Sequence, residues 1–366
     1  MVEAVGWDIA EKVGTRLANR VGNGDTSART YRPDLLVADF EELTAEAEGL
    51  VAEATGLVSL SGPARARVTD RAGWVRANLA SFRRMLAPLT DRLADRMPKS
   101  AAAASATRAI TGVEVGTLLG WMSTRVLGQY DLLFVDDDTA VDQDLVYYVG
   151  PNVVALEQRF GFPPKEFRLW LALHEVTHRA QFTGVPWLRG HFLSLVEGSL
   201  GSIEPDPKRF MSALRRAVDE VKAGRNPLDE GGLVALLATP EQQELLGQIG
   251  GLMSLLEGHG DVTMNRAGAD RIPSAPRFGR VLHQRRTQVS APARLVQKLI
   301  GLDAKLKQYE QGERFIEAVE AEGGDDYLAT VWEGPERLPT LAEIRDPAAW
   351  MRRVGAPVPG GAAAAS

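Results

Sequence analysis

The sequence predicts a predominantly α-helical fold of the α+β class, with a small antiparallel sheet beside one buried helix. Three observations carry this reading. Apolar residues recur at helical spacing through most of the chain, as in "WVRANLASFRRMLAPLTDRLADRM" from Trp74 to Met97. Strand-like runs are few and short: "YDLLFVDD" (Tyr130 to Asp137) and "DLVYYVG" (Asp144 to Gly150), separated by acidic turn residues. The composition, 45% apolar and 25% charged, is that of an ordinary globular chain able to bury a core.

Taken in order, residues 1–98 are expected to form an N-terminal helical subdomain and residues 99–352 the main domain. "AAAASA" after Ser100 reads as a helix start or a short linker. "AITGVEVGTLLGWMSTRVLG" (Ala109 to Gly128) holds Gly112, Gly116 and Gly120 at four-residue spacing, which marks close helix packing. Glu114 and Arg125 interrupt its apolar run, so a buried helix of a soluble domain is expected rather than a membrane span. After the two strands, "PNVVALEQRFG" reads as a helix opened by Pro151 and Asn152 and closed by Gly161. A helix of about 20 residues follows, with Pro163 and Pro164 in its first turn and Gly184 at its end. "IEPDPKR" (Ile203 to Arg209) breaks the chain. Helices are expected near 210–223, 233–237 and 240–266, then a basic loop, then a long helix through "KQYEQGERFIEAV". The tail 353–366 is low in complexity and expected to be disordered.

Composition also narrows the function. A net charge of −6 argues against a general nucleic-acid binder. The absence of cysteine excludes disulfides, thiolate metal sites and a cysteine nucleophile. "MVEAVGWDIAEKVG" has no basic segment followed by an apolar run, so a cytoplasmic location is expected, with no membrane partner.

The chemistry concentrates in "LALHEVTHRAQF" (Leu171 to Phe182), which carries two of the chain's five histidines. Residues four apart share one helix face, so His174 and His178 can place two imidazole nitrogens on one Zn2+ ion. Glu175 points to the side of that pair, within reach of a water on the metal. Two ligands and a general base are the physical content of HExxH. Zinc lowers the pKa of its water toward about 7, and the glutamate takes the proton as the water attacks a carbonyl. The surrounding Leu171, Ala172, Leu173 and Val176 predict a buried helix, in which a histidine pair needs partners. The bland alternative is two core histidines bonded to backbone.

A catalytic zinc usually has three protein ligands. The extended pattern HExxHxxGxxH fails, because Gln181 and Gly184 stand where it needs glycine and histidine. The leading candidate is Glu257, which ends the apolar run of "GLMSLLEGHGDVTMNRAG". Asp261, four residues on, can accept the second N–H of a ligating histidine. Glu197 in "LSLVEGSLG" is the runner-up, but Gly201 stands where its partner carboxylate would be. His191 is a third choice. His259, His283 and Tyr309 are candidate donors to the oxyanion of the reaction. The basic run Arg271, Arg277, Arg280, Arg285 and Arg286 either lines a cleft for an acidic substrate or is a solvated face.

"LHEVTHRAQFTGVPWL" together with "LLEGHGDVTMNRAG" resembles the zincin-like metallopeptidase family, type 2, common in actinobacteria and often labelled as associated with deazaflavin coenzyme biosynthesis. The resemblance runs from "GWDIAEKVG" to "KQYEQGERFIEAV". It implies that residues 99–352 form a zincin-like metal-binding domain around His174, Glu175 and His178. It also implies a zinc-dependent hydrolase acting on a peptide or small amide, with no nucleic-acid partner. A non-catalytic zincin-fold scaffold or partner-binding protein is the competing expectation.

Overall fold

The computed structural model describes residues 4–23, 32–95, 100–132, 144–201, 239–287 and 302–355. In chain order these form α1 (Trp7–Asn23), α2 (Pro33–Thr55), β1 (Arg65–Thr69), α3 (Arg71–Met85), α4 (Ala87–Asp95), α5 (Ala101–Ser123), β2 (Gly128–Tyr130) and β3 (Leu145–Val149). Then come α6 (Gly150–Phe160), α7 (Pro164–Gly184), α8 (Leu188–Gly201), α9 (Pro240–Ala267), α10 (Ala275–Thr287), α11 (Leu302–Ala329), α12 (Leu341–Arg345) and α13 (Pro347–Val354). The chain divides into two compact units: Met1–Pro186 with Thr263–Gln284, and Trp187–Val262 with Arg285–Ser366.

The α-rich α+β class holds. In the first unit the sheet has strand order β1-β3-β2. β2 and β3 pair antiparallel, with Gly128 opposite Tyr148 and Tyr130 opposite Val146, but β2 shares only Tyr130 with the first expected strand. β1 adds to β3 in parallel, which makes the sheet mixed. "RARVT" gave no strand signal because its two arginines leave little apolar side chain to alternate. The first expected strand lies, from residue 133, outside the described residues. So do the expected helices at 210–223 and 233–237, the loop 203–209 and most of the tail.

The signals read for α6 and α7 set their bounds. Gly161 closes α6 in the left-handed region at φ 59°, a conformation that glycine adopts without strain. The stretch of helical spacing that begins at Trp74 folds as two helices, α3 and α4, over its described residues. Pro88 has no backbone N–H to give, so the helix breaks at Leu86 and restarts. At the other end of α3, Asp70 caps the helix by accepting from Gly73 N at 2.6 Å.

The glycine ladder of α5 packs on α1. A Cβ on Gly112, Gly116 or Gly120 would stand 2.4, 2.4 or 2.8 Å from the carbonyl oxygens of Gly6, Ala10 and Gly14. The spacing thus serves a backbone-to-backbone helix contact. No helix among the described residues is long and apolar enough to cross a membrane. Trp7, Ala10, Trp74, Val75, Leu119 and Val149 form the core at this place. Elsewhere in the unit Phe40 stacks on Tyr148 (ring centroids 3.9 Å), and Phe162, Phe167 and Phe278 pack ring against ring.

In the second unit, Leu255, Phe315, Ile316, Val319, Val331 and Trp350 build the core. The two short helices after residue 340 carry no sequence expectation above, yet Trp350 is fully buried and its Nε1–H donates to Arg337 O at 2.7 Å. α9 and α11 meet through glycines. A Cβ on Gly258 would lie 2.3 Å from the Gly312 carbonyl carbon, and one on Gly312 would lie 1.9 Å from Ser254 O. No side chain fits at either place.

Candidate metal centre

α7 is buried along Leu171, Ala172, Leu173, Val176 and Ala180. Its one-turn repeat puts His174 and His178 side by side, with Nε2 to Nε2 at 3.3 Å and the rings nearly perpendicular at 82°. The other ring nitrogen of His178, Nδ1, stands 3.0 Å from Gln181 Oε1. An amide oxygen only accepts, so Nδ1–H donates and the lone pair of His178 lies on Nε2, facing His174. Gln181 is fully buried. Sequence reasoning passed over it, weighing it only as a departure from the extended motif.

His174 and His178 each offer a ring nitrogen on one face of α7, and the pair could share a metal ion. Glu257 is buried on α9, at 7% exposure. Burial separates it from the runner-up: Glu197 is exposed on α8. His191, on the same helix, packs its ring on Trp187, and partial desolvation lowers its pKa.

Glu175 is buried as well, and its Oε2 accepts the backbone N–H of Tyr130 at 2.9 Å. Next to it, Tyr148 is buried and gives its hydroxyl to a 2.8 Å hydrogen bond with Thr44. Burial, and secondarily the Glu175 charge, push its pKa up, so it stays a neutral phenol. Arg179 follows His178 directly and is 1% exposed. It bonds Asp144 Oδ2 at 2.6 Å, Glu48 Oε1 at 2.7 Å and Gly62 O at 2.7 Å, which fixes the helix just past the second histidine.

Of the remaining candidates, His259 is buried with its ring edge-on to Trp332 at 5.3 Å, and Asp261 is half-buried on α9. His283 lies on α10 and Tyr309 on α11, but their side chains are outside the described ones. The basic run reads as surface where it is described. Arg271 pairs with Glu46, Arg277 bonds the carbonyls of Phe160 and Gly161, and Arg280 is exposed. The side chains of Arg285 and Arg286 lie outside the described ones.

Residues 5–351 match the model of the family described as zincin-like metallopeptidase. A solved structure from Chloroflexus aurantiacus, described as a candidate hydrolase with a novel fold, is similar at 30% identity and a TM-score of 0.68. That likeness covers 96% of this chain and 98% of the other. None of the curated proteins compared with the chain matches it. With HExxH on a buried helix, its two histidine nitrogens turned together, and a family match over nearly the whole length, the chain belongs to the zincin-like metallopeptidase family.

Proposed function

We propose that the protein is a zinc-dependent hydrolase that cleaves peptide or other amide bonds with metal-activated water. One observation carries this reading: the facing Nε2 atoms of His174 and His178 on one buried helix. Glu257, buried on α9, is the carboxylate proposed to complete the set. Two nitrogens held at about 2.0–2.1 Å from one tetrahedral ion stand about 3.4 Å apart. The observed 3.3 Å fits that figure. Two imidazoles and one carboxylate are also the donor set of a catalytic zinc, which keeps its fourth position open. When bound, zinc supplies Lewis-acid polarisation of a carbonyl and brings the pKa of a water toward about 7.

The chain's own residues do the rest. His174, His178 and Glu257 would hold the ion. Gln181 keeps the His178 proton on Nδ1, so that Nε2 is free to ligate. Glu175 takes the proton of the attacking water and can pass it to the leaving amine. Asp261 is proposed to orient a ligand, and His259, His283 and Tyr309 are the candidate donors to the developing oxyanion.

The experiment is paired. Elemental analysis of untagged protein should find about one zinc per chain. Glu175→Gln should keep that zinc and abolish hydrolysis of any peptide the wild type cleaves, because the amide cannot take a proton. Protein that neither holds zinc nor gains stability from it refutes the reading, as does an active Glu175→Gln variant.

A further inference from the structure

We propose that strand β2 positions the Glu175 carboxylate, Gly128 by leaving room for it and Tyr130 by giving it a backbone N–H. The inference rests on the reading of Glu175 as the general base and names the element that aims it.

The geometry follows from the strand. Val149 N–H donates to Leu127 O at 2.8 Å, and Asp131 N–H donates to Leu145 O at 3.2 Å. Backbone groups of alternate residues therefore face β3, and those between face the other way. The N–H of Tyr130 is one of the latter, and it meets Glu175 Oε2 at 2.9 Å. Gly128 is two residues earlier, on the same side. A Cβ built there would stand 2.7, 2.8 and 3.0 Å from Oε1, Cγ and Cδ of Glu175, and these are its three nearest neighbours. Gly128 is not among the glycines with positive φ, so its backbone would accept alanine. The missing side chain leaves room for the carboxylate and serves no turn.

The strand is itself pinned. Between these two residues Gln129 accepts from Trp74 Nε1 at 2.9 Å and donates from Nε2 to Asn78 Oδ1 at 2.9 Å. Asn78 closes the ring by donating to Trp74 O at 3.0 Å. A charge-assisted bond from a fixed donor holds a carboxylate better than a mobile partner does. Misplacement of about 1 Å in such a group can cost about 100-fold in rate. Gly128, Gln129 and Tyr130 are thus positioning residues.

The test uses the full chain loaded with zinc. Gly128→Ala should lower the melting temperature by about 2–6 °C, as overpacking does. In a Glu175→Ala background the same change should cost less than about 1 °C, because the clashing carboxylate is gone. If Gly128→Ala alone does not fold, the double variant should. Exchange of the Tyr130 amide should speed up at least about tenfold in Glu175→Ala. Zinc affinity of Gly128→Ala should stay within about threefold of wild type. With a fluorogenic peptide that the wild type cleaves, kcat should fall about 10- to 100-fold while KM changes little. Additive melting costs, unchanged Tyr130 exchange, or zinc loss equal to that of His178→Ala would each overturn the proposal. Intact coupling with an active Glu175→Gln would sink the general-base reading instead, and with it the catalytic purpose of the strand.

Discussion

Gln181→Met should weaken zinc binding without abolishing it. The methionine keeps the volume of a fully buried side chain but loses the oxygen 3.0 Å from His178 Nδ1. Without that acceptor, the His178 proton is held less firmly away from Nε2, and the ring is less well fixed in its ligating orientation. Losing such an outer partner typically costs about 10- to 100-fold in metal affinity, or about 1.4–2.7 kcal/mol. The loss stays in that range because His174, Glu257 and the His178 ring itself remain. Competition with a chromophoric chelator at neutral pH measures it directly. Gln181→Glu, which retains an acceptor, should bind zinc at least as well as wild type, and His178→Ala should bind far worse than either. A Gln181→Met affinity within about twofold of wild type refutes the idea that this residue sets the tautomer. Melting curves of the metal-free variants guard against a trivial loss of folding.

Three further outcomes are expected. Glu257→Ala should lose zinc severely and Asp261→Asn by about 10- to 100-fold, while the exposed Glu197→Ala stays near wild type; the same chelator titration ranks them, and zinc loss confined to Glu197→Ala would refute the assignment. Arg179→Met should cost about 2–4 kcal/mol in urea unfolding, somewhat under the range for a fully buried pair because Glu48 and Asp144 keep 30% and 17% exposure; a cost under about 1 kcal/mol would mean the cluster does not hold α7. Gly116→Ala gains up to about 1 kcal/mol of helix propensity, but its Cβ would stand 2.4 Å from Ala10 O, so a net loss of about 1–3 kcal/mol is expected and a stabilised variant would refute the close packing.

The long helices and the HExxH histidine pair were legible because each has a local signature. Pro164 and Gly184 punctuate α7, and the four-residue spacing of His174 and His178 is a property of one helix. What stayed hidden depends on distant partners. β1 takes its strand identity from a parallel neighbour about 80 residues away, and its own alternation rests on only two apolar side chains, Ala66 and Val68. Gln181 and Tyr130 act through an amide oxygen and a backbone N–H, groups that every glutamine and nearly every residue possess. Glu257 and Glu197 looked alike because apolar neighbours in sequence do not say which side of a helix is covered. Even the glycine ladder was read correctly only as packing; that α1 is the packed surface required the fold.

The glycine crossing of α9 and α11 bears on how the carboxylate beside it would respond to change elsewhere. Gly258 adjoins Glu257, and its contact with Gly312 is main chain on main chain. Side-chain contacts can settle into new rotamers when a neighbour is trimmed, and they loosen on heating. A main-chain stop has no such freedom. The height of Glu257 along its helix is therefore referenced to the backbone of α11 and is largely insulated from repacking of Phe315, Ile316 or Trp350. Drift in the apolar core of this unit would then cost stability before it shifted this carboxylate. The reverse holds at the crossing itself: a single methyl group there would move Glu257 while leaving every core side chain intact.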